Sequence, residues 1–234
     1  MKNIFFFILI LNVCTCSKLF SQQIINGNRE PKFDSGQLQE NASILCTATQ
    51  GDFTDSHTMW IPLNTDYNGG PNMGWKGQTG CFATTEAKFN GSGSATTYRA
   101  EIDVVNKCGG ICGVNGTNKG GEGQLAPIYK TNLQLPLPID SSKWFIDISI
   151  KGEYTTGKIS SQYKIKITNP DSSVVKSCNM DNTEHIFRFP NTSPGIYDIE
   201  IDFPTLSRAC YGAPNGTRSE SDFTTTIVFY IYQK

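Results

Sequence analysis

The sequence predicts an all-β fold. Along several segments, apolar residues alternate with polar ones at a period of two, which is the pattern of strands with one buried face. Clusters of Pro, Gly and Asn separate these segments and suit tight turns. No stretch longer than about ten residues shows a helical period.

The alternation is strongest after residue 139. In Trp144–Lys151, the residues predicted to face the core are Trp144, Ile146, Ile148 and Ile150. The same period runs through Tyr163–Thr168, Ile196–Phe203 and Phe223–Tyr232. At least five strands in about ninety residues, with turn sequences between them, predict an immunoglobulin-like β-sandwich at 139–234.

The segment 23–138 predicts a second β domain, which is rich in Gly and Asn and contains cysteines. Its clearest strand is Tyr98–Val105, and Ser43–Thr49 and Gly80–Lys88 are weaker candidates. Leu133–Pro138 is predicted to be a linker or an edge strand, because Pro cannot donate a ladder hydrogen bond. A single large sandwich that contains all the strands is the competing layout.

Residues 1–21 have the parts of a secretory signal peptide. Lys2 precedes the uncharged apolar run Ile4–Leu11, and small and polar residues follow. This run is too short to cross a bilayer as a helix, and no later segment is apolar enough to enter a membrane. Cleavage near Ser21 therefore predicts a secreted protein that is extracellular or at the cell surface, with cleavage after Ser17 as the alternative.

The charge balance excludes one class of partner. Removing residues 1–21 removes two lysines and no acids, which leaves 18 basic and 21 acidic side chains. A net charge of about −3 does not provide the strongly basic surface that nucleic-acid binding requires.

Six cysteines remain after residue 21, and an even number in an exported chain predicts three disulfide bonds that stabilise the fold. We predict that Cys178 pairs with Cys210 and that the other four pair among themselves. The run from Cys108 to Cys112 lacks the second ligand pair of a zinc site and the surroundings of a redox pair, so we assign no metal and no cofactor. The six residues are Cys46, Cys81, Cys108, Cys112, Cys178 and Cys210.

Five Asn-x-Ser/Thr sequons follow the predicted signal peptide, which is a modest excess over chance. In a eukaryotic secretory pathway they would be glycan acceptors on exposed turns. The acceptor residues would be Asn41, Asn90, Asn115, Asn191 and Asn215.

The segment Thr65–Gly77 is the first candidate for ligand binding. It places Tyr67 and Trp75 among Gly and Asn residues, with Asp66 and Asn68 beside them. Aromatic faces stack on the C–H side of a sugar ring, and carboxylates and amides bind its hydroxyls. The alternative is that Trp75 is a core residue that ties a long loop to the domain.

Acidic residues at a period of two are the remaining candidates for chemistry. Two sets, each on one face of a predicted strand, are Glu101 with Asp103, and Asp198 with Glu200 and Asp202. Paired carboxylates can serve glycoside cleavage or bind Ca²⁺, but alternating acids on a strand more often form a solvated face. We favour a solvated face, with Lys164 and Lys166 as cross-strand partners of the second set, and assign no catalytic residue.

The favoured function is a non-enzymatic extracellular binding protein that recognises carbohydrate or a glycosylated cell surface. Two β domains of this size, the first containing cysteines, are similar in layout to expansin-like proteins. A polysaccharide-acting or wall-remodelling enzyme is therefore the first alternative, and an acid such as Asp103 would then be essential. A structural adhesin or coat protein that binds protein partners is the second alternative. The sequence does not predict the oligomeric state.

Overall fold

The computed structural model describes residues 30–48, 51–63, 72–74, 80–111, 121–154, 162–169, 172–210 and 218–234. No helix in this part of the chain is long and apolar enough to cross a lipid bilayer. The described residues form fifteen strands: β1 (Lys32–Phe33), β2 (Gln37–Ala48), β3 (Gly51–Pro62), β4 (Asn72–Gly74), β5 (Gly80–Gly93), β6 (Thr97–Ile111), β7 (Gly121–Leu125), β8 (Ile128–Leu135), β9 (Trp144–Tyr154), β10 (Gln162–Asn169), β11 (Ser172–Asn179), β12 (Glu184–Thr192), β13 (Gly195–Asp202), β14 (Leu206–Ala209) and β15 (Arg218–Gln233).

The strands form two antiparallel sheets, called sheet A and sheet B. Sheet A has nine strands in the order β11-β10-β13-β8-β2-β7-β14, with β1 paired to β8 and β3 paired to β2. Sheet B has six strands in the order β12-β9-β15-β6-β5-β4. The strands β7 and β8 pair with successive parts of β2, because residues 37–39 of β2 pair with β8 and residues 42–46 pair with β7. The fold is therefore all-β and sandwich-like.

The predicted alternation is confirmed in the strands after residue 139. The four residues of β9 that were predicted to face the core have exposed fractions of 0–1%. Ile165 in β10, Ile199 in β13 and Ile227 in β15 are also buried, while the residues next to them are partly or fully exposed. The period of two thus places one face of each strand in the core, where burial of apolar surface stabilises the fold.

Both sheets combine strands from before and after residue 139. In sheet A, β13 pairs with β8, and in sheet B, β15 lies between β6 and β9. The buried apolar residues form one hydrophobic core, which includes Ile102 and Ile148. This arrangement corrects the prediction of separate domains at 23–138 and 139–234, of which the second was expected to be an immunoglobulin-like sandwich. The competing single sandwich fits these strands.

The segment predicted to be a linker or an edge strand also needs correction. Leu133 and Leu135 belong to β8 and are fully buried, and β8 pairs with β13 on one side and with β1 and β2 on the other. The strand ends at Leu135, so Pro136 lies outside the ladder. The Pro136 carbonyl oxygen accepts a hydrogen bond from Trp144 Nε1 at 2.8 Å. Pro136 therefore follows the end of a central strand, and the prolines of this segment do not prevent the residues before them from forming one.

Two of the six cysteines predicted to form disulfides, Cys108 and Cys178, are free thiols. Cys178 lies on β11 at one end of sheet A, whereas Cys210 follows β14 at the other end, so the predicted Cys178–Cys210 bond is wrong. The registered neighbours of Cys108 on β5 and β15 are not cysteines. Cys210 is disulfide-bonded, whereas disulfide bonding stays a prediction for Cys46, Cys81 and Cys112, whose side chains lie outside the described part of the chain.

Candidate functional site

A groove lies on the outer face of sheet A. It has a volume of about 720 Å³, which is in the range of ligand-binding clefts. Along β8, β10 and β13 it is lined by the buried Thr131 and Ile199 and, next to buried residues, by polar side chains that are partly or fully exposed. These polar side chains are Lys130 and Asn132 on β8, Asp198 and Glu200 on β13, and Lys166 and Thr168 on β10.

One wall of the groove is the turn between β1 and β2. Gly36 in this turn has a φ of +79°, and a Cβ there would overlap the carbonyl oxygen of Lys130, so the turn needs glycine. The Gly36 N–H donates to Asp34 Oδ1 at 3.1 Å. The Tyr129 hydroxyl donates to the Ser35 carbonyl oxygen at 2.8 Å. These bonds fix the wall in place, so ligand binding would not have to order it.

Trp60 lies at the edge of this groove. It pairs with Gln39 on β2, 40% of its surface is exposed, and Pro62 on the same strand lines the groove. The Lys130 ammonium lies 5.4 Å from the centre of the Trp60 ring. Trp60 therefore provides a flat apolar surface next to hydrogen-bonding groups.

Opposite charges alternate across the floor of the groove. Lys130 Nζ lies 2.9 Å from Glu200 Oε2. Lys166 lies directly opposite Glu200 on β10, the other strand that pairs with β13. Lys164 is opposite Asp202 in the same way. Burial raises the pKa of Asp202, the Glu200 charge raises it further, and Lys164 opposes both effects. The predicted pairing of these acids with Lys164 and Lys166 is confirmed.

The acidic pair on β6 has ordinary surface partners. Glu101 forms an ion pair with Arg99, and Asp103 accepts a hydrogen bond from Thr226 Oγ1 at 2.7 Å. Both acids alternate with buried residues of β6 and lie in sheet B, away from the groove. This placement supports the interpretation of a solvated strand face.

The surroundings of His185 do not match a hydrolytic triad. Its Nε2 atom lies 2.9 Å from Asp181 Oδ1 and 3.0 Å from Thr183 Oγ1. A triad needs the carboxylate and the hydroxyl on different ring nitrogens, whereas here both contact the same one. Hydrogen bonds from Thr183 and then from His185 lower the pKa of Asp181 to about 2. The cluster therefore stabilises the turn between β11 and β12.

Cys108 and Cys178 are unsuited to nucleophilic or redox chemistry. Both are buried, and burial raises the pKa of Cys108 to about 12 and that of Cys178 to about 11. Thiols react as thiolates, which are scarce at such pKa values. Across the described ranges, no group of three or more His, Cys, Asp and Glu side chains is placed to hold a metal ion.

We expect Cys108 and Cys178 to resist alkylation by iodoacetamide at about pH 8 while the protein is folded, because neither thiol ionises there. After unfolding in urea, both should react. Peptide mass mapping of the labelled protein, with and without urea, measures this difference. Equal labelling rates in the folded and unfolded protein would contradict the prediction.

The four residues predicted to bind a ligand lie outside the described residues, and their role stays a prediction: Asp66, Tyr67, Asn68 and Trp75. Sequence reasoning missed Trp60, because it stands in an apolar run that resembles core. The period of two could have identified it. Ile61 and Leu63 are buried, which places the residue before Ile61 on the other face of the strand.

Three of the five predicted glycan acceptors are described, and all three are exposed. Asn41 lies in β2 and Asn90 in β5, so both are on strands instead of the predicted turns. Asn191 lies at the end of β12 with a φ of 55°. Asn115 and Asn215 lie outside the described residues. Glycosylation stays a prediction at all five positions.

No protein-family model matches the chain, and no curated protein sequence matches it. The fold and the groove therefore define the class of protein by themselves. It is an all-β protein with two sheets, and one outer face carries a polar groove edged by an exposed tryptophan.

Proposed function

We propose that this protein is a secreted, non-enzymatic binding protein and that the groove on sheet A binds a carbohydrate. The observation that carries the proposal is the exposed Trp60 ring beside a polar groove. Sugar rings present C–H faces that stack on aromatic rings. Export after removal of residues 1–21, glycosylation and disulfide bonds among the remaining cysteines belong to the same proposal.

The polar lining of the groove suits sugar hydroxyls. The carboxylates of Asp198 and Glu200 accept hydrogen bonds, the ammonium group of Lys166 donates them, and the amide of Asn132 does both. A lipid would leave most of these groups without partners, which costs free energy. A polyhydroxylated ligand therefore fits this lining better than an apolar one.

We expect Trp60→Ala to bind about thirtyfold more weakly than the wild type to any polysaccharide that the wild type retains. The loss of an aromatic anchor typically costs about 2 kcal/mol. Retention on immobilised polysaccharides, followed by titration with soluble fragments, measures the effect. Tyr230→Ala is the matched control, because Tyr230 is an aromatic residue with 45% exposure in the other sheet.

The variant Trp75→Ala tests the other predicted binding segment, Thr65–Gly77, independently of the groove. Weaker binding by Trp60→Ala, with Tyr230→Ala and Trp75→Ala unchanged and all variants folded, supports the groove. Weaker binding by Trp75→Ala alone would move the ligand to the segment Thr65–Gly77. If no polysaccharide retains the wild type, carbohydrate binding is contradicted and protein partners become the next candidates.

A further inference from the structure

Lys130 occupies the place beside Trp60 that a cationic group of a ligand would take. Its ammonium lies 5.4 Å from the centre of the Trp60 ring and 2.9 Å from Glu200 Oε2. An aromatic face attracts a cation through the negative charge of its π system, and the carboxylate adds a charged hydrogen bond. The groove therefore already holds one ammonium group, and the protein supplies it.

The contacts that hold Lys130 can be exchanged. The side chain of Lys130 is 49% exposed and that of Glu200 is 34% exposed. At such exposed sites, a cation–π contact and an ion pair each favour the bound arrangement by about fivefold or less. The lysine side chain can therefore turn toward solvent when another cation takes its place.

The groove has an excess of acidic groups once Lys130 has turned away. Its lining includes three carboxylates, those of Asp34, Asp198 and Glu200, and two ammonium groups, those of Lys130 and Lys166. Without the Lys130 ammonium, three carboxylates would face one remaining cation. This balance favours a ligand that brings positive charge with it.

We propose that the groove binds an amino-sugar polymer with free amino groups and that Lys130 is a built-in competitor for their position. This inference rests on the proposed carbohydrate function. The sugar ammonium takes the place over Trp60 and beside Glu200, and the sugar hydroxyls pair with groups such as Asn132 and Thr168. A lysine-rich peptide shares the ammonium but offers no hydroxyls to these polar side chains.

We expect Lys130→Gln to bind a glucosamine oligomer about tenfold more tightly than the wild type, because the competing ammonium is removed. Lys166→Gln is the matched control: it removes the same charge, but Lys166 lies between Glu200 and Val175 on the neighbouring strands, whereas Lys130 is the lysine that contacts the Trp60 ring. Its gain should be about twofold. Titration calorimetry at about pH 6, below the usual pKa of an amino group, measures the two affinities.

The N-acetylated oligomer of the same length and a short lysine peptide are the comparison ligands. Tighter binding of the glucosamine oligomer than of either one, weakened by salt, together with the gain in Lys130→Gln, supports the inference. Weaker or unchanged binding by Lys130→Gln, equal affinity for a comparison ligand, or no binding of the glucosamine oligomer overturns it. If one of these results is found but Trp60→Ala still binds a neutral polysaccharide more weakly than the wild type does, the amino-sugar inference fails and the carbohydrate function stands.

Discussion

Replacing Glu40 by glutamine is expected to stabilise the protein by a few kcal/mol at about pH 8 and to change little at about pH 4. Glu40 is fully buried on β2 and forms a side-chain hydrogen bond with Thr85 on β5, so it lies between the two sheets. Thr85 Oγ1 donates its hydrogen to Asn106 Oδ1 at 3.0 Å. The interaction with Thr85 favours the charged carboxylate and so lowers the pKa of Glu40, but the loss of hydration on burial outweighs it. Glutamine has nearly the same shape as glutamic acid and carries no charge.

The pH dependence follows from the pKa of Glu40. Burial raises this pKa from 4.5 to about 8, because the charged form would lose its hydration in the core. The folded-state pKa lies above the unfolded-state value, so the stability that this proton provides is complete below about pH 4.5 and is lost as the pH rises toward 8. At about 1.4 kcal/mol per pH unit, this span sets an upper limit of about 5 kcal/mol. Glutamine carries no charge in either state and lacks this loss.

Other buried titratable groups on neighbouring strands do not change charge in this window. Burial raises the pKa of Tyr129 on β8 well above its usual range, and it raises the pKa of Cys108 on β6 to about 12. Both groups stay neutral while Glu40 responds to pH. A fall in stability between about pH 4.5 and 8 that disappears in Glu40→Gln can therefore be assigned to Glu40.

Urea unfolding at about pH 5 and about pH 8.5 measures the Glu40 effect. Glu86→Gln is the matched control, because Glu86 is an exposed residue next to Thr85 on the same strand. The control should change stability by about 0.5 kcal/mol or less at either pH. An unfolding midpoint of the wild type that does not fall with pH, or a Glu40→Gln variant that is less stable at the higher pH, would contradict the prediction.

The burial of Glu40 and the exposure of Trp60 are two features that the sequence did not predict. Glu40 stands at a period of two between Leu38 and Ala42, which are buried, so the pattern places it inside. A carboxylate ordinarily indicates solvent, and the two rules conflict at this position. Trp60 is the reverse case, since its apolar side chain suggests the core although it is exposed. The period of two therefore predicts which face of a strand a residue lies on better than the polarity of its own side chain does.

The pairing of strands was less predictable than their faces. A period of two is a local property, so the buried faces of β9, β10, β13 and β15 could be predicted. The neighbours of β15 are β6 and β9, and this choice depends on how distant faces fit together, which no local pattern contains. The lysine–acid pairs of β10 and β13 could be predicted because both faces were known. The wall of the groove at Gly36 could not, because its shape depends on one turn and on the approach of β8.

Gly110→Ala is expected to destabilise the protein by about 3 kcal/mol or more, which is a large part of the stability of a typical domain. Gly110 lies in β6 of sheet B, and Gly121 lies in β7 of sheet A. A Cβ at Gly110 would overlap the Gly121 carbonyl oxygen and lie 2.6 Å from its carbonyl carbon. These are backbone atoms, and the same carbonyl accepts a hydrogen bond from the Cys210 N–H at 3.0 Å. Only glycine allows the sheets to come this close.

Gly152→Ala is the matched comparison for Gly110→Ala, because Gly152 is also a buried glycine of sheet B. Its Cβ would meet side-chain atoms, the Tyr163 hydroxyl at 2.7 Å and Met180 Cγ at 3.2 Å. Side chains can turn away more readily than backbone can shift, so we expect a loss of about 1 kcal/mol. Urea unfolding of both variants gives the ranking. A smaller loss in Gly110→Ala than in Gly152→Ala would contradict the close contact of the sheets. The expected ranking would mean that Gly110, one of the two glycines between Cys108 and Cys112, is needed for the close contact of the two sheets.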